Sequence, residues 1–409
     1  MKPSSTKDLV PKDSVPYSQA IRPARAGLVR REKIRVLFII DQLCESGGAE
    51  HVLLKMIDHL PRDQFDCLLL TFKHNPAIER FRRLPCPFYV FRLGRTYDLN
   101  ALRVALKVRK LIRSHRIDIV HTFHETSDIW GGIVARASGC RVLISSRRDM
   151  GILRSRKHMF GYRIANMYVK RVLTVSNRVR EYCIRSDGLS AAKVVTIHNG
   201  LDLRAFDNDQ TSKFCRRSLD IPEHVPLITT VALVRRIKGI DVLLRAAALV
   251  CRLFPQAVFL VVGGYAEADY FEELKRLSVE LGLGGNLKFA GHREDVIGIL
   301  KSTDIFCLPS RSEGFSNALI EAMACALPCV ATNVGGNNEA ITDGADGYIV
   351  PSENAETMAQ RILNLLRFPE KSREIGLAAR RKVEQQFTVD LMLRKLVGVY
   401  GELVNSKLD

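Results

Sequence analysis

Short, uninterrupted apolar runs recur along the chain. Each is followed by a polar or glycine-bearing loop and then by a segment with apolar positions at helical spacing. In the first half the runs lie at 34–40 (IRVLFII), 66–72, 88–92, 117–123 (IDIVHTF), 142–145, 171–176 and 193–197. In the second half they lie at 227–234, 257–262, 287–290, 305–308 and 329–331. Runs of this kind, bounded by turn residues, predict buried strands. Strand and helix in alternation predict βαβ repeats around a mostly parallel sheet, hence an α/β protein. The segment 100–115 predicts a basic helix, with Leu102, Leu106 and Ile112 on one face and Lys107, Arg109, Lys110 and Arg113 elsewhere. Such a helix either sinks its apolar face into a core or lies on a membrane surface. Three helices are predicted to close the chain, at roughly 354–368, 370–386 and 389–405.

The most informative stretch is 304–332, DIFCLPSRSEGFSNALIEAMACALPCVAT. It predicts a strand stopped by Pro309, a polar loop, a helix capped by Ser316 and ended by Pro328, and a second strand. Glu313 falls in the loop at the carboxyl end of the first strand, and Glu321 falls inside the helix. Ligands of open α/β sheets bind at that edge. The backbone N–H groups of Gly314, Phe315 and Ser316 open the helix, where anions are favoured. Free donors flanked by carboxylates suit a ligand that is phosphate at one end and polyol at the other, as a nucleotide-sugar is. An unpaired carboxylate in an otherwise apolar helix is costly, which favours a ligand role for Glu321 over a solvated one.

Other loops carry related chemistry. Gly47-Gly48-Ala49-Glu50 follows the first strand and opens a helix, allowing close backbone approach to an anion. Arg235-Arg236-Ile237-Lys238-Gly239 is a cationic loop before a helix, suited to a diphosphate. The strand at 142–145 feeds a loop at 146–151 with Arg147 and Arg148 adjacent, where they either grip a phosphate or serve as surface charge paired with Asp149. His124 and His121 both lie at the end of the run 117–123.

Composition narrows the class. The chain has 409 residues, enough for two or three domains. Its ten cysteines form no C-x-x-C pair and sit mostly in apolar runs. They read as core residues in a reducing, cytoplasmic setting, not as a disulfide or zinc framework. No apolar run is long enough to span a membrane. Residues 1–33 are polar and basic and lack the apolar stretch of a signal peptide, so they read as a disordered tail. The net charge is +18. Residues 34–200 hold 29 Lys/Arg against 14 Asp/Glu, and residues 201–409 hold 25 against 27. The excess in the first half implies an anionic counterpart such as a membrane surface or a phosphorylated lipid, unless it is simply a solvated basic surface. No nucleic-acid module is present.

Taken together, S-E-G-F-x-N-x-x-x-E-A-M-A at 312–324 resembles the E-x7-E region of the retaining family-4 glycosyltransferases (glycosyl transferases group 1) of the GT-B fold. The likeness extends over about 34–405. It includes G-G-A-E at 47–50, the phrase ending His198-Asn199-Gly200-Leu201-Asp202, Lys238-Gly239, and Gly335-Gly336 with Glu339. It implies two Rossmann-like domains with parallel sheets facing a central cleft. The first is an acceptor-side domain over 34–202, to which 388–409 crosses back. The second is a nucleotide-sugar-binding domain over 203–387. It implies Glu313, His124 and Lys238 as catalytic residues, with His121 the second choice for the histidine. Glu321, Arg235, Gly314, Phe315, Ser316, Gly47 and Gly48 would bind the donor. The donor would be a UDP- or GDP-sugar and the acceptor a lipid-linked or other saccharide. The enzyme would need no metal and no cofactor, and it would sit in the cytoplasm or peripherally on the inner membrane face. Two positions depart from the pattern. Cys329 stands before the Val of the P-V ending, and Leu233 stands where the family has an arginine on the diphosphate, leaving Arg235 or Arg236 to replace it. That departure keeps a catalytically inactive nucleotide-sugar-binding protein as an alternative; a GT-B epimerase or phosphorylase is another. Asp207-Asn208-Asp209 is the metal signature of the other large glycosyltransferase fold, but it lies in a polar linker and predicts no metal here.

Overall fold

In the computed structural model the two sets of apolar runs form two parallel sheets. The structure describes residues 33–43, 47–73, 86–151, 154–207 and 216–405. The basic tail up to residue 32, part of the loop after the first strand, and the last two residues of the Asp207–Asp209 pair lie outside these.

The first sheet contains β1 (Ile34–Ile40), β2 (Phe65–Thr71), β3 (Phe88–Val90), β4 (Ile119–Phe123), β5 (Val142–Arg147), β6 (Arg171–Thr174) and β7 (Val194–Thr196). Their order is β3-β2-β1-β4-β5-β6-β7, all parallel. The second contains β8 (Leu227–Val231), β9 (Val258–Val262), β10 (Leu287–Gly291), β11 (Ile305–Leu308), β12 (Cys329–Thr332) and β13 (Tyr348–Val350), in the order β10-β9-β8-β11-β12-β13. Both are doubly wound sheets. The strand order reverses between β1 and β4 in one and between β8 and β11 in the other, and crevices open at such points. The strands are uninterrupted in sequence because they are covered on both faces. Val36 to Ile40, for instance, are all fully buried.

On one face of the first sheet lie α1 (Gly48–His59) and the final helix of the chain, α13 (Val389–Asn405). Leu396 and Tyr400 of α13 are buried against β1, β2 and α1. The chain returns to this sheet through a bridge between Leu201 and Thr388. On the other face α2 (Leu99–Ser114), α3 (Gly132–Ala137, entered through a π turn at Ser127–Gly131) and α4 (Arg156–Tyr168) pack side by side, followed by α5 (Asn177–Arg185). The second sheet is covered by α6 (Ile240–Cys251), α7 (Ala268–Glu280), α8 (Val296–Lys301), α9 (Asn317–Ala324), α10 (Asn337–Ala340), α11 (Ala355–Arg367) and α12 (Pro369–Gln386).

The grouping of Leu102, Leu106 and Ile112 on one face of α2 does not hold. Its buried face is Ala101, Val104, Val108, Leu111 and Ile112, while Leu102 and Leu106 point outward. The helix carries two apolar stripes. The one with Ala and Val, which lets the helix approach closely, faces the sheet. The cysteines among the described residues carry free thiols.

Candidate functional site

Loops at the carboxyl ends of both sheets meet one another, and the sequence-predicted residues divide between them. From the first domain, the β1 loop delivers Gly47 and Gly48 to the start of α1. The Glu50 side chain folds back over Gly47, where an added Cβ would collide with it. Asn317, at the start of α9, donates to the Gly48 carbonyl at 3.3 Å. The two helix starts therefore face each other across the interface.

The second-domain half of the site is built around Glu313. Its Oε1 accepts from Lys238 Nζ at 2.7 Å and from Ser310 Oγ at 2.7 Å. Lys238 ends the 3-10 turn Arg236–Lys238. Gly239 then adopts φ +63°, and an added Cβ there would sit 2.1 Å from the Pro309 carbonyl oxygen. Only glycine allows that turn to close against the end of β11. Lys238 and Glu313 thus flank the switch point between β8 and β11.

Ser316 caps α9 by accepting from the Leu319 N–H at 3.3 Å. Among the described residues the N–H groups of Gly314, Phe315 and Ser316 have no hydrogen-bond partner. Gly314 lies under the Arg148 carbonyl, which an added Cβ would approach to 2.0 Å. The Gly335–Gly336 loop packs on the other side, with the Gly336 N–H bonded to the Gly314 carbonyl. Glu321 lies further along α9. Burial raises its carboxyl pKa, and only Lys55 and His51 of α1, in the opposite domain, pull the other way.

The arginines separate cleanly. Arg236 is spent on Glu273 of α7, Nη2 to Oε1 at 2.6 Å. Arg235 is exposed and its side chain has no partner among the described residues. Arg147 does not reach the site. It is buried beneath α4, stacked on Tyr162 and bonded to Ser145 and Asn166, with Asp128 3.7 Å away. Arg148 does reach it, donating to Asn199 Oδ1, while burial lowers its pKa to about 10 against the pull of Glu50. Neither arginine pairs with Asp149, whose carboxyl bonds the Gly151 N–H and lies near Arg154.

The two histidines separate as well. His124 adopts φ +72° just beyond β4, next to the switch point of the first sheet. His121 is fully buried, its ring between Tyr400 Oη at 2.7 Å and Ser146 Oγ at 2.8 Å, and burial together with Arg148 pushes its pKa down to about 3. It holds α13 to the sheet. Asp207 pairs with Arg380.

Three further residues shape the site: Arg311 carried no sequence signal, and Asn199 and Glu339 were marked only as parts of the family likeness, with no role. Arg311 grips Asp241 with both Nη atoms, at 2.9 and 2.8 Å, and its N–H bonds the Ile237 carbonyl, so it braces the turn that carries Lys238. Asn199 links Arg148 to Asn317, donating to Asn317 Oδ1 at 2.6 Å. Glu339 accepts from His198 Nε2 at 2.8 Å and from the first N–H groups of α5, Asn177 and Arg178. Burial works to raise its pKa, but these bonds outweigh it and leave the pKa below the ordinary carboxylate value. A residue of the second domain thereby caps a helix of the first.

Comparison with known proteins gives a consistent picture. The family model for glycosyl transferases group 1 matches residues 212–382, and that for Glycosyltransferase Family 4 matches residues 46–205. The chain is 24% identical over 377 residues to the UDP-Gal:alpha-D-GlcNAc-diphosphoundecaprenol alpha-1,3-galactosyltransferase of Escherichia coli, covering 88% of this chain and 95% of that protein. It is 31% identical over 199 residues to the D-inositol 3-phosphate glycosyltransferase of Thermobifida fusca, about half of each. Among solved structures, HepE of Anabaena in complex with UDP superposes with a TM-score of 0.80 at 23% identity, covering 90% of this chain and 100% of that one.

Proposed function

The chain belongs to the family-4 glycosyltransferases of the GT-B fold, and from that premise we infer that it moves a sugar from a nucleotide-sugar to an acceptor hydroxyl with retention of anomeric configuration. One observation carries this reading. The Lys238–Glu313 pair and three unpaired amides converge at the β8/β11 switch point, opposite the Gly47–Gly48 helix start.

Lys238, Arg235 and the Gly314–Ser316 amides supply positive charge where a leaving diphosphate gains negative charge, which is transition-state stabilisation without a metal. Glu313, released from Lys238 as the phosphate takes its place, accepts from sugar hydroxyls. Glu321 accepts from the ribose hydroxyls. His124 approaches the sugar from the first domain. The reading needs no carboxylate nucleophile on the far face of the sugar, and the acceptor attacks from the side the diphosphate leaves.

UDP is the favoured nucleotide, with GDP second, because solved HepE structures hold UDP and UDP-glucose. A lipid-linked saccharide is the favoured acceptor, because the Escherichia coli relative is named for a diphosphoundecaprenol acceptor. The work would then be done at the cytoplasmic face of a membrane; no helix among the described residues is long and apolar enough to cross one. Leu233 at the arginine position favours a second reading, a donor-binding scaffold that does not transfer.

The test is release of nucleoside diphosphate from UDP- and GDP-sugars in EDTA, with the anomeric proton of any product followed by NMR. Release with retained configuration is expected. Inversion, or donor binding without any release or transfer in the presence of lipid-linked saccharides, overturns the reading.

A further inference from the structure

The layer formed by α2, α3 and α4 has an outer surface that the fold does not explain. Each long helix of the layer satisfies the core with one face. On α2 that is Ala101, Val104, Val108, Leu111 and Ile112, and on α4 it is Tyr162, Ala165 and Asn166. Each nevertheless carries a second apolar stripe pointing outward. On α2 it is Leu99, Leu102 and Leu106, exposed by 76%, 60% and 59%. On α4 it is Phe160, Ile164 and Met167, of which Phe160 and Met167 are exposed by 65% and 70%. The spacings, i, i+3, i+7 and i, i+4, i+7, are those of single helical stripes. Lone exposed apolar residues need no explanation. Two such sets on one helical layer, on the helices either side of α3, do.

The charge on this surface is mainly positive; its acidic groups include Asp98, which caps α2, Glu125, which pairs with His158 of α4, and Asp149 in the loop before α4. Arg103, Lys107 and Lys110 border the α2 stripe, and Arg156, Lys157 and Arg163 border the α4 stripe. Residues 99–117 and 150–180 contain no Asp or Glu at all. The surface helices α11 and α12 mix both signs, as solvated helices do. At the far end of α4 the surface opens into a recess of about 500 Å³, where Arg163, Met167, Arg185 and Lys193 are neighbours. Asp187 also lines it, but that carboxylate is engaged by Arg154 at 3.0 Å.

We propose that the outer surface of the α2–α3–α4 layer docks on an anionic lipid bilayer, with the Leu102/Leu106 and Phe160/Met167 stripes seated at the headgroup–acyl boundary and the flanking Lys and Arg on lipid phosphates. Apolar stripes edged by cations on an otherwise soluble fold are the chemistry of interfacial helices. An acidic protein surface would match the charge, but it gives no reason for two exposed apolar stripes beside it. The proposal rests on this surface and not on the donor site, so either can fail without the other.

The experiment is flotation of the full chain with vesicles of phosphatidylcholine alone and of phosphatidylcholine mixed with phosphatidylglycerol. Binding to the mixed vesicles and not to the zwitterionic ones is expected. The quadruple variant L102S/L106S/F160S/M167S alters only exposed side chains. It should keep the unfolding midpoint and nucleotide binding, yet bind the mixed vesicles roughly tenfold or more weakly. The variant K107E/K110E/R163E should lose more, since each cation near an anionic surface is worth roughly a fivefold change. Failure of the wild type to bind anionic vesicles overturns the proposal, including the case in which it self-associates instead. So does binding that both variants retain.

Discussion

Lys238 and Glu313 hold each other at 2.7 Å in loops packed tightly enough that Gly239 cannot carry a side chain. Truncating one partner of such a pair leaves the other partly buried and unpaired. We expect Lys238→Ala to lower kcat/KM by about 10²–10³, with Lys238→Arg recovering part of the loss. Steady-state kinetics in EDTA reads this directly. The neighbouring arginines make a sharper prediction. Arg235→Ala should weaken nucleoside-diphosphate binding, measured by calorimetry, while Arg236→Ala should leave it near wild type because Arg236 faces Glu273. Equal effects from both would remove Arg235 from the site. Placement was legible where chemistry and local spacing coincide, as at Glu313 and Lys238, which the structure brings together. It was not legible at the Arg147–Arg148 pair. Sequence could not say that Ser145, Asn166, Tyr162 and Asp128 make a buried berth for Arg147, and so the strand was expected to stop before it.

At the level of elements, α13 is tied to the first sheet through His121, whose ring lies between Tyr400 and Ser146. Burial first, and the charge of Arg148 second, hold the folded-state pKa at about 3 against 6.5 in the free residue. The sign follows. Below pH 6.5 the unfolded chain takes up a proton that the folded chain refuses. This contribution to stability is therefore full above that pH and declines as pH falls toward 3, by about 1.4 kcal/mol per pH unit. Urea midpoints between pH 7 and pH 5 should fall, and His121→Gln should flatten the slope even if it lowers stability overall. An unchanged slope would show that another group sets it. Glu339 acts in a separate window. Its lowered pKa contributes stability above the ordinary carboxylate pKa of about 4.5, and that contribution is lost as pH falls below it. The order of strands and helices was legible because parallel strands buried on both faces leave unbroken apolar runs. The facing of α2 was not. Both of its stripes have helical spacing, and only packing against the sheet selects Val104 and Val108 over Leu102 and Leu106.

For the whole molecule, two doubly wound sheets present their carboxyl ends to one another, and loop contacts among the described residues join them. Gly48 meets Asn317, Arg148 meets Gly314, Asn199 meets Asn317, and Glu339 meets the start of α5. The second-domain half of the site was readable because strand, loop and helix carry it within one contiguous stretch. The first-domain half was readable only at Gly47–Gly48, since Arg148 and Asn199 join it only when distant loops converge.

The measurement that tests this account most directly is thermal unfolding in EDTA against UDP, GDP, ADP and their sugars, for the wild type and Glu321→Ala. A ligand at a hundred times its Kd adds about 2.7 kcal/mol, enough to raise the midpoint by a few degrees. The account predicts such a rise with one base and no metal, lost in Glu321→Ala while the variant without ligand remains folded. No rise with any nucleotide, a rise that requires magnesium, or one that survives in Glu321→Ala would contradict it.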